Sequence, residues 1–271
     1  MNLPSLENYD PTKDSRKGGA LPSMPTFKSL EDERNHLKIV LAASCRVFAQ
    51  NGYTDGIGGY IAVRDPEFTD TYWLNPMGVD FSMVTVSSLI RVNSNGDVIE
   101  GSHPASRPAW ATFTVIRKLR PEIVAVAHVH SHYGSAWSTF GLPIDYVTED
   151  TCLFHDKLAV YDQFNGAIVT REEGLKMATA LGSNKAILLQ NHGIYTVGET
   201  LEEAAWLFIS LENACKTQFL LNSMKAIGLQ PKQMTKEALA FTSKIMGSPY
   251  ACWAQFQPIF KKIVAECRDL D

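Results

Sequence analysis

The stretch Ile123–Val129 is apolar on both faces except for its sixth residue, His128, and it runs straight into His130. A strand whose two faces are both apolar has to be covered on both sides. That requirement alone excludes an open sandwich with one wet face and calls for a sheet between two helical layers. The rest of the chain supplies the layers. At 271 residues and 45% apolar content, it has enough material for a large core. Its 25 basic and 29 acidic side chains leave a formal charge of −4, too mild for a surface that binds nucleic acid or anionic membranes. No run approaches the roughly 20 apolar residues of a spanning helix. No basic-then-apolar leader opens Met1–Asp14. Five scattered cysteines, none in a CxxC pair, suit buried thiols in a reducing compartment. The expectation is a cytoplasmic protein.

Pro4, Pro11, Pro22 and Pro25 fall in residues 1–28, a segment without apolar periodicity, which reads as a flexible arm. Residues 29–271 read as one domain with a C-terminal helical extension. Leu30, Leu37, Val40, Leu41, Cys45 and Phe48 recur at helical spacing after Ser29, a plausible N-cap, and Gly52 marks the stop. Strand-like runs follow at Tyr60–Val63, Thr71–Leu74, Leu89–Val92 and Val98–Ile99, with Asn95-Gly96 as a hairpin signal. A helix opens at Ser106 with Pro108 in its first turn and ends before Pro121. Thr170–Glu173 and Thr200–Glu203 both match a capping box, predicting helices that stop near Gly182 and Gly228. Between them, strands at Ala186–Leu189 and Ile194–Val197 flank Asn191-His192-Gly193. A last helix follows Ser248-Pro249, with a kink expected at Pro258.

The chemistry concentrates at two strand ends. Alternate residues of a strand share a face, so His128 and His130 point the same way with Cα atoms roughly 6–7 Å apart. Two imidazoles at that spacing can hold one divalent ion, and they also suit a simple hydrogen-bonded pair. His192, in a sharp turn after a second buried strand, adds a third nitrogen and leaves coordination positions open for substrate or water. An Asn-His-Gly turn at the surface fits the same residues.

These motifs resemble the class II aldolase/adducin domain. The likeness rests on His128-Val129-His130-Ser131, on Gln190-Asn191-His192-Gly193 with Gly198 five residues later, and on the order of Gly58–Pro66, Leu74–Gly78 and Arg120–Ser131. It covers roughly residues 30–225. The resemblance implies a three-layer α/β/α sandwich with a central mixed, mainly antiparallel sheet, a homotetramer, and a metal held by His128, His130 and His192. Zinc is the first choice, with Fe(II) or Mn as alternatives. In the family's sugar-phosphate aldolases the ion stabilises charge that builds as a C–C bond breaks beside a carbonyl.

Departures from the aldolases redirect the reading. Their catalytic glutamate falls at Arg107, whose guanidinium stays protonated at any working pH. Their phosphate-binding groups are replaced by Tyr60, Ala62 and Met77, so a sugar phosphate is disfavoured. Glu149 or Asp150 could take over proton transfer, Arg107 could hold a substrate carboxylate, and Tyr60 and Tyr133 could line the pocket. A branch of this family containing iron-dependent oxygenases of aminocoumarin pathways is similar through Leu74–Phe81 and Ala127–Gly141. The expectation is therefore a metal-dependent lyase that makes or breaks a C–C bond beside a carbonyl in a non-phosphorylated, carboxylate-bearing small molecule. Two alternatives stand beside it: a non-haem iron oxygenase acting on an α-keto or α-hydroxy acid, and a non-catalytic adducin-like assembly module.

Overall fold

The first helix, α1 (Leu30–Gln50), starts where the Ser29 hydroxyl accepts the Asp32 N–H, with Glu31, Asp32 and Glu33 in its positive first turn. Its buried stripe, including Leu41, Cys45 and Phe48, lies on a central sheet. The computed structural model describes residues 22–54 and 56–270. The N-terminal 21 residues of the expected arm lie outside the described residues.

Eight strands form that sheet: β1 (Tyr60–Arg64), β2 (Tyr72–Leu74), β3 (Ile90–Val92), β4 (Val98–Glu100), β5 (Ala125–Val129), β6 (Leu158–Tyr161), β7 (Ala186–Leu189) and β8 (Gly193–Gly198). Their spatial order is β4-β3-β2-β1-β5-β8-β7-β6. Every neighbouring pair is antiparallel except β6 and β7, so the sheet is mixed and mainly antiparallel, as expected from the sequence. The parallel pair needs a crossover, and α4 (Arg171–Leu181) provides it.

Strand alternation then sorts the core into two layers. Ile61, Val63, Ala125, Ala127 and Val129 pack with α1, α5 (Leu201–Ala226) and α7 (Pro249–Glu266). Tyr60, Ala62, Val126, Tyr195 and Val197 pack with α4 and α2 (Arg107–Leu119) on the other face. His128 belongs to this second face, stacked on Tyr195 with Tyr60 tilted against its other side, these two being its register partners on β8 and β1.

Several sequence expectations need adjustment. Leu89 ends a short 3-10 turn at Val86–Ser88, so β3 begins one residue later. Thr170 forms the full capping box, but at Thr200 only half exists, because the Glu203 carboxylate accepts the Glu199 N–H instead. Three elements were not foreseen: α3 (His132–Ser138), β6 and α6 (Lys236–Met246). The first two are short, and α6 carries a single fully buried residue, so none leaves a strong periodic pattern.

Candidate metal centre

β5 and β8 run antiparallel through the sheet, so the C-terminal end of one meets the N-terminal end of the other. His128 and His130 come from the first, and His192 from the three-residue link that feeds the second. The link is tight. Asn191 takes φ +56°, a left-handed conformation that asparagine tolerates better than most side chains, and the His192 N–H returns to the Leu189 carbonyl. Together these bring the three rings to centroid separations of 4.8–5.3 Å, with one ligand nitrogen from each all within 4.8 Å of one another. Among the described residues, no other group of three or more His, Cys, Asp or Glu converges in this way.

Burial grades the three. His128 is 4% exposed, His192 half-buried and His130 exposed. The Nδ1 of His128 lies 2.8 Å from the Ile194 carbonyl oxygen, which only accepts. Nδ1 therefore carries the hydrogen, and Nε2 is left as a lone pair. Burial holds the His128 pKa well below the usual imidazole range, with the neighbouring imidazoles adding to the effect. Burial, and then His130, push His192 down to about 4. The neutral rings of His128 and His192 are what a divalent ion requires, and among the described residues the converging group holds three histidines and no carboxylate.

Behind His128 stands a hydroxyl cluster that sequence reasoning missed. The Tyr60 and Tyr195 hydroxyls both bond Thr112 of α2, at 2.8 and 3.1 Å. Two anchored phenols therefore fix the walls between which the His128 ring sits. Tyr195 was recoverable from alternation, being two residues past Gly193 on the strand beside His128.

The family follows from the match along the chain. Residues 40–219 match the family model of the Class II Aldolase and Adducin N-terminal domain. The chain belongs to the class II aldolase and adducin family. The decarboxylase NovR of Streptomyces niveus is 37% identical over 248 residues, which are 91% of this chain and 90% of that protein. The 4-hydroxy-3-prenylphenylpyruvate oxygenase/4-hydroxy-3-prenylbenzoate synthase of Streptomyces roseochromogenus subsp. oscitans is 36% identical over 248 residues, covering 91% and 88% of the two chains. Among solved structures, L-fuculose 1-phosphate aldolase from Glaciozyma antarctica PI12 superposes with a TM-score of 0.82 at 36% identity, covering 90% of this chain and 95% of that one.

Within this class II aldolase fold the other expected site residues are dispersed. Arg107 is the first residue of α2, on the same sheet face as His128. It is exposed, and its Nε donates to the Val169 carbonyl at 3.0 Å. That contact ties it to the loop whose Phe164, Gly166 and Ile168 wall a cleft beside His192. Tyr60 is 2% exposed with its hydroxyl spent on Thr112, so it supports the His128 ring rather than facing a ligand. Tyr133 packs against Phe219 of α5 under the Lys216 ammonium, on the far side of the sheet from His128. Glu149 and Asp150 are exposed at the start of a 3-10 turn whose Leu153 and Phe154 join the α1/α5/α7 core. The single chain thus does not bring either acid to the histidines. The physical reason is the register of that turn: burying Leu153 and Phe154 leaves both carboxylates in solvent. Glu173 does line the His192 cleft, but its carboxylate accepts from Val169 and Thr170 as a helix cap.

Proposed function

We propose that this chain is a metal-dependent enzyme that cleaves or forms a C–C bond beside a carbonyl in a non-phosphorylated α-keto or α-hydroxy acid. The observation that carries the reading is the convergence of three imidazoles at one end of the sheet, two of which, His128 and His192, burial keeps neutral. His128, His130 and His192 would hold the ion, which when bound supplies Lewis-acid polarisation of the substrate carbonyl oxygen. The chain's own side chains do the rest. Phe164, Ile168 and Leu189 offer apolar wall beside His192, suited to an aryl or alkyl substituent. Arg107 offers a bidentate fork to a carboxylate, a match that a lysine's point charge cannot reproduce. With Glu149 and Asp150 exposed and outside the three-histidine group, solvent reaching the exposed His130 side is the proton source that the geometry favours.

A second reading has specific support. Two relatives matching about nine-tenths of the chain carry the names decarboxylase and prenylphenylpyruvate oxygenase, and three imidazoles suit Fe(II) as well as zinc. In that reading the same site cleaves an arylpyruvate side chain with dioxygen.

One experiment separates the readings. Protein purified without chelators or added metal is analysed for bound metal, then offered arylpyruvates and 2-hydroxy acids with and without air. Zinc or manganese with oxygen-independent cleavage supports the lyase. Iron with oxygen uptake supports the oxygenase. A chain that binds no metal and turns over none of these substrates leaves the assembly module. Arg107→Ala should weaken binding of oxalate by about 1–3 kcal/mol, measured calorimetrically. Equal binding by both proteins would remove Arg107 from the site.

A further inference from the structure

Immediately after His130 the chain turns into α3, and the way that helix begins is unusual. Ser131 occupies its N-cap position, yet its hydroxyl makes no capping bond to the helix. It donates instead to Oε2 of Glu212 at 2.6 Å. The same carboxylate receives the N–H groups of Tyr133 at 2.7 Å and Gly134 at 2.6 Å. A helix N-terminus is therefore capped by an acid reaching across from the middle of α5, 81 residues further along the chain. Glu212 is only 3% exposed, and three short donors account for its burial. The fit leaves no spare room: a Cβ on Gly134 would stand 2.9 Å from Oε2.

The opposite side of α3 grips the other exposed part of the centre. The Ser135 hydroxyl donates to the His192 carbonyl at 3.3 Å, and the Ser138 carbonyl accepts the Asn191 N–H at 3.4 Å. Gly193 lies against the same hydroxyl, with space for a Cβ only 3.3 Å from it. One short helix thus follows directly from His130 and also braces the turn that carries His192. His128 does not depend on it, being held by β5, the Ile194 carbonyl and the two tyrosines.

We infer that Glu212 is the positioning residue of the metal centre, acting through α3 to set His130 and His192 against the fixed His128. This assignment rests on the reading of the three histidines as ligands. Removing the carboxylate's symmetry is enough to disturb it. In Glu212→Gln, one amide nitrogen faces a backbone N–H that it cannot accept, so either the Tyr133 or the Gly134 donor loses its partner. α3 then loosens at its start, and the two outer ligands lose their common support.

The test is Co2+ affinity and its visible absorption spectrum, measured on the full chain with Glu212→Gln, Ser135→Ala and Glu203→Gln. Glu203 is a second buried acid of α5, near its N-terminus, bonded to Lys185 and the Glu199 N–H, at the other end of the sheet. It controls for loss of stability alone. The expected result is a 10- to 100-fold weaker Co2+ dissociation constant for Glu212→Gln, with altered d–d bands. A smaller loss is expected for Ser135→Ala, and native affinity for Glu203→Gln at temperatures where all remain folded. Amide exchange in metal-free protein should quicken at Tyr133, Gly134 and Asn191 in Glu212→Gln but not in Glu203→Gln. Native Co2+ affinity and spectrum in Glu212→Gln overturn the assignment while leaving the metal centre standing. Equal weakening by Glu203→Gln also overturns it, reducing Glu212 to a stabilising group. A native chain that binds no Co2+ overturns the ligand reading itself, and this assignment with it.

Discussion

The two ends of the central strands are built on opposite principles. At the end where β5 begins, buried charge is neutralised inside the chain. Asp65 is buried and accepts from Arg34 twice, from the Trp73 indole and from the Glu67 and Phe68 N–H groups. Glu203 is buried against Lys185 in the same region. At the end where β5 finishes, three imidazoles converge, and among the described residues no carboxylate joins their group. His128 presents Nε2 because its Nδ1 is spent on the Ile194 carbonyl, and burial keeps both it and His192 neutral. The first end pairs its buried charge within the chain. The second gathers the groups that a metal ion would use, which is why the proposed function is placed there. A cleft of about 330 Å³ does lie at the first end, lined by Phe27, His36, Glu202 and Trp253, but it holds none of the three histidines.

The contrast breaks most visibly at Asp65. Asp65→Ala leaves the Arg34 guanidinium without its main partner and strands the Trp73 indole, so it should cost about 3–5 kcal/mol in urea unfolding. Metal binding by the fraction that folds should be unchanged. Loss of metal affinity in that folded fraction would mean that the two ends are not independent.

At the other end the effects should be smaller on stability and larger on binding. Gly59 sits at φ +87°, where a Cβ would come within 2.5 Å of Val129 Cγ1. Val129 lies between two of the histidines, so Gly59→Ala should cost roughly 1–3 kcal/mol and also weaken metal binding. Unchanged metal affinity would show that β5 tolerates displacement there. Thr112→Val removes the shared anchor of the Tyr60 and Tyr195 hydroxyls and should cost about 1–2 kcal/mol, with a modest loss of affinity. A variant as stable as the native chain would count against the hydroxyl cluster as a support for His128.

Acid sharpens the comparison in a gentler way. In metal-free protein, His192 titrates near 4 instead of an imidazole's usual value of about 6.5, so the unfolded chain binds more protons between those values. The stability carried by the neutral ring is complete above about 6.5 and is lost as pH falls toward about 4. Asp65 is also shifted downward, held below the ordinary carboxylate range by Arg34, backbone N–H groups and Trp73 against its own desolvation. Its contribution stays intact above about 4 and declines only below that. Urea midpoints should therefore fall in two windows. His192→Gln should make the upper slope shallower while leaving the share carried by buried His128 and the whole lower window, and an unchanged upper slope in that variant would refute the assignment.

Much of this was legible in the sequence, and the limits are instructive. The run into His128 declared a covered strand, and the sheet around it has the expected mixed, mainly antiparallel character. His128, His130 and His192 were readable as a cluster because strand alternation and a tight turn are local rules. The resemblance to the aldolases suggested Glu149 and Asp150, and proximity to the motif suggested Tyr133, but the packing of Leu153, Phe154 and Phe219 turns those segments to other surfaces. Glu212 left a signal that went unread. It falls in the buried stripe of Leu201, Ala205, Phe208 and Cys215 on α5, where a charged residue has to find donors. Which donors it finds depends on the tertiary approach of α3, a contact that periodicity does not encode.

The central claim is that the end of the sheet where β5 finishes is a metal centre formed by three histidines, and metal content tests it most directly. Native protein purified without chelators, alongside His128→Ala, His130→Ala and His192→Ala, would be analysed for bound metal per chain, with far-UV circular dichroism confirming that each is folded. The account predicts close to one divalent ion per native chain and near-zero occupancy in all three folded variants. Full occupancy in His192→Ala, or a native chain that takes up no ion even when zinc, manganese or iron is supplied, would contradict it.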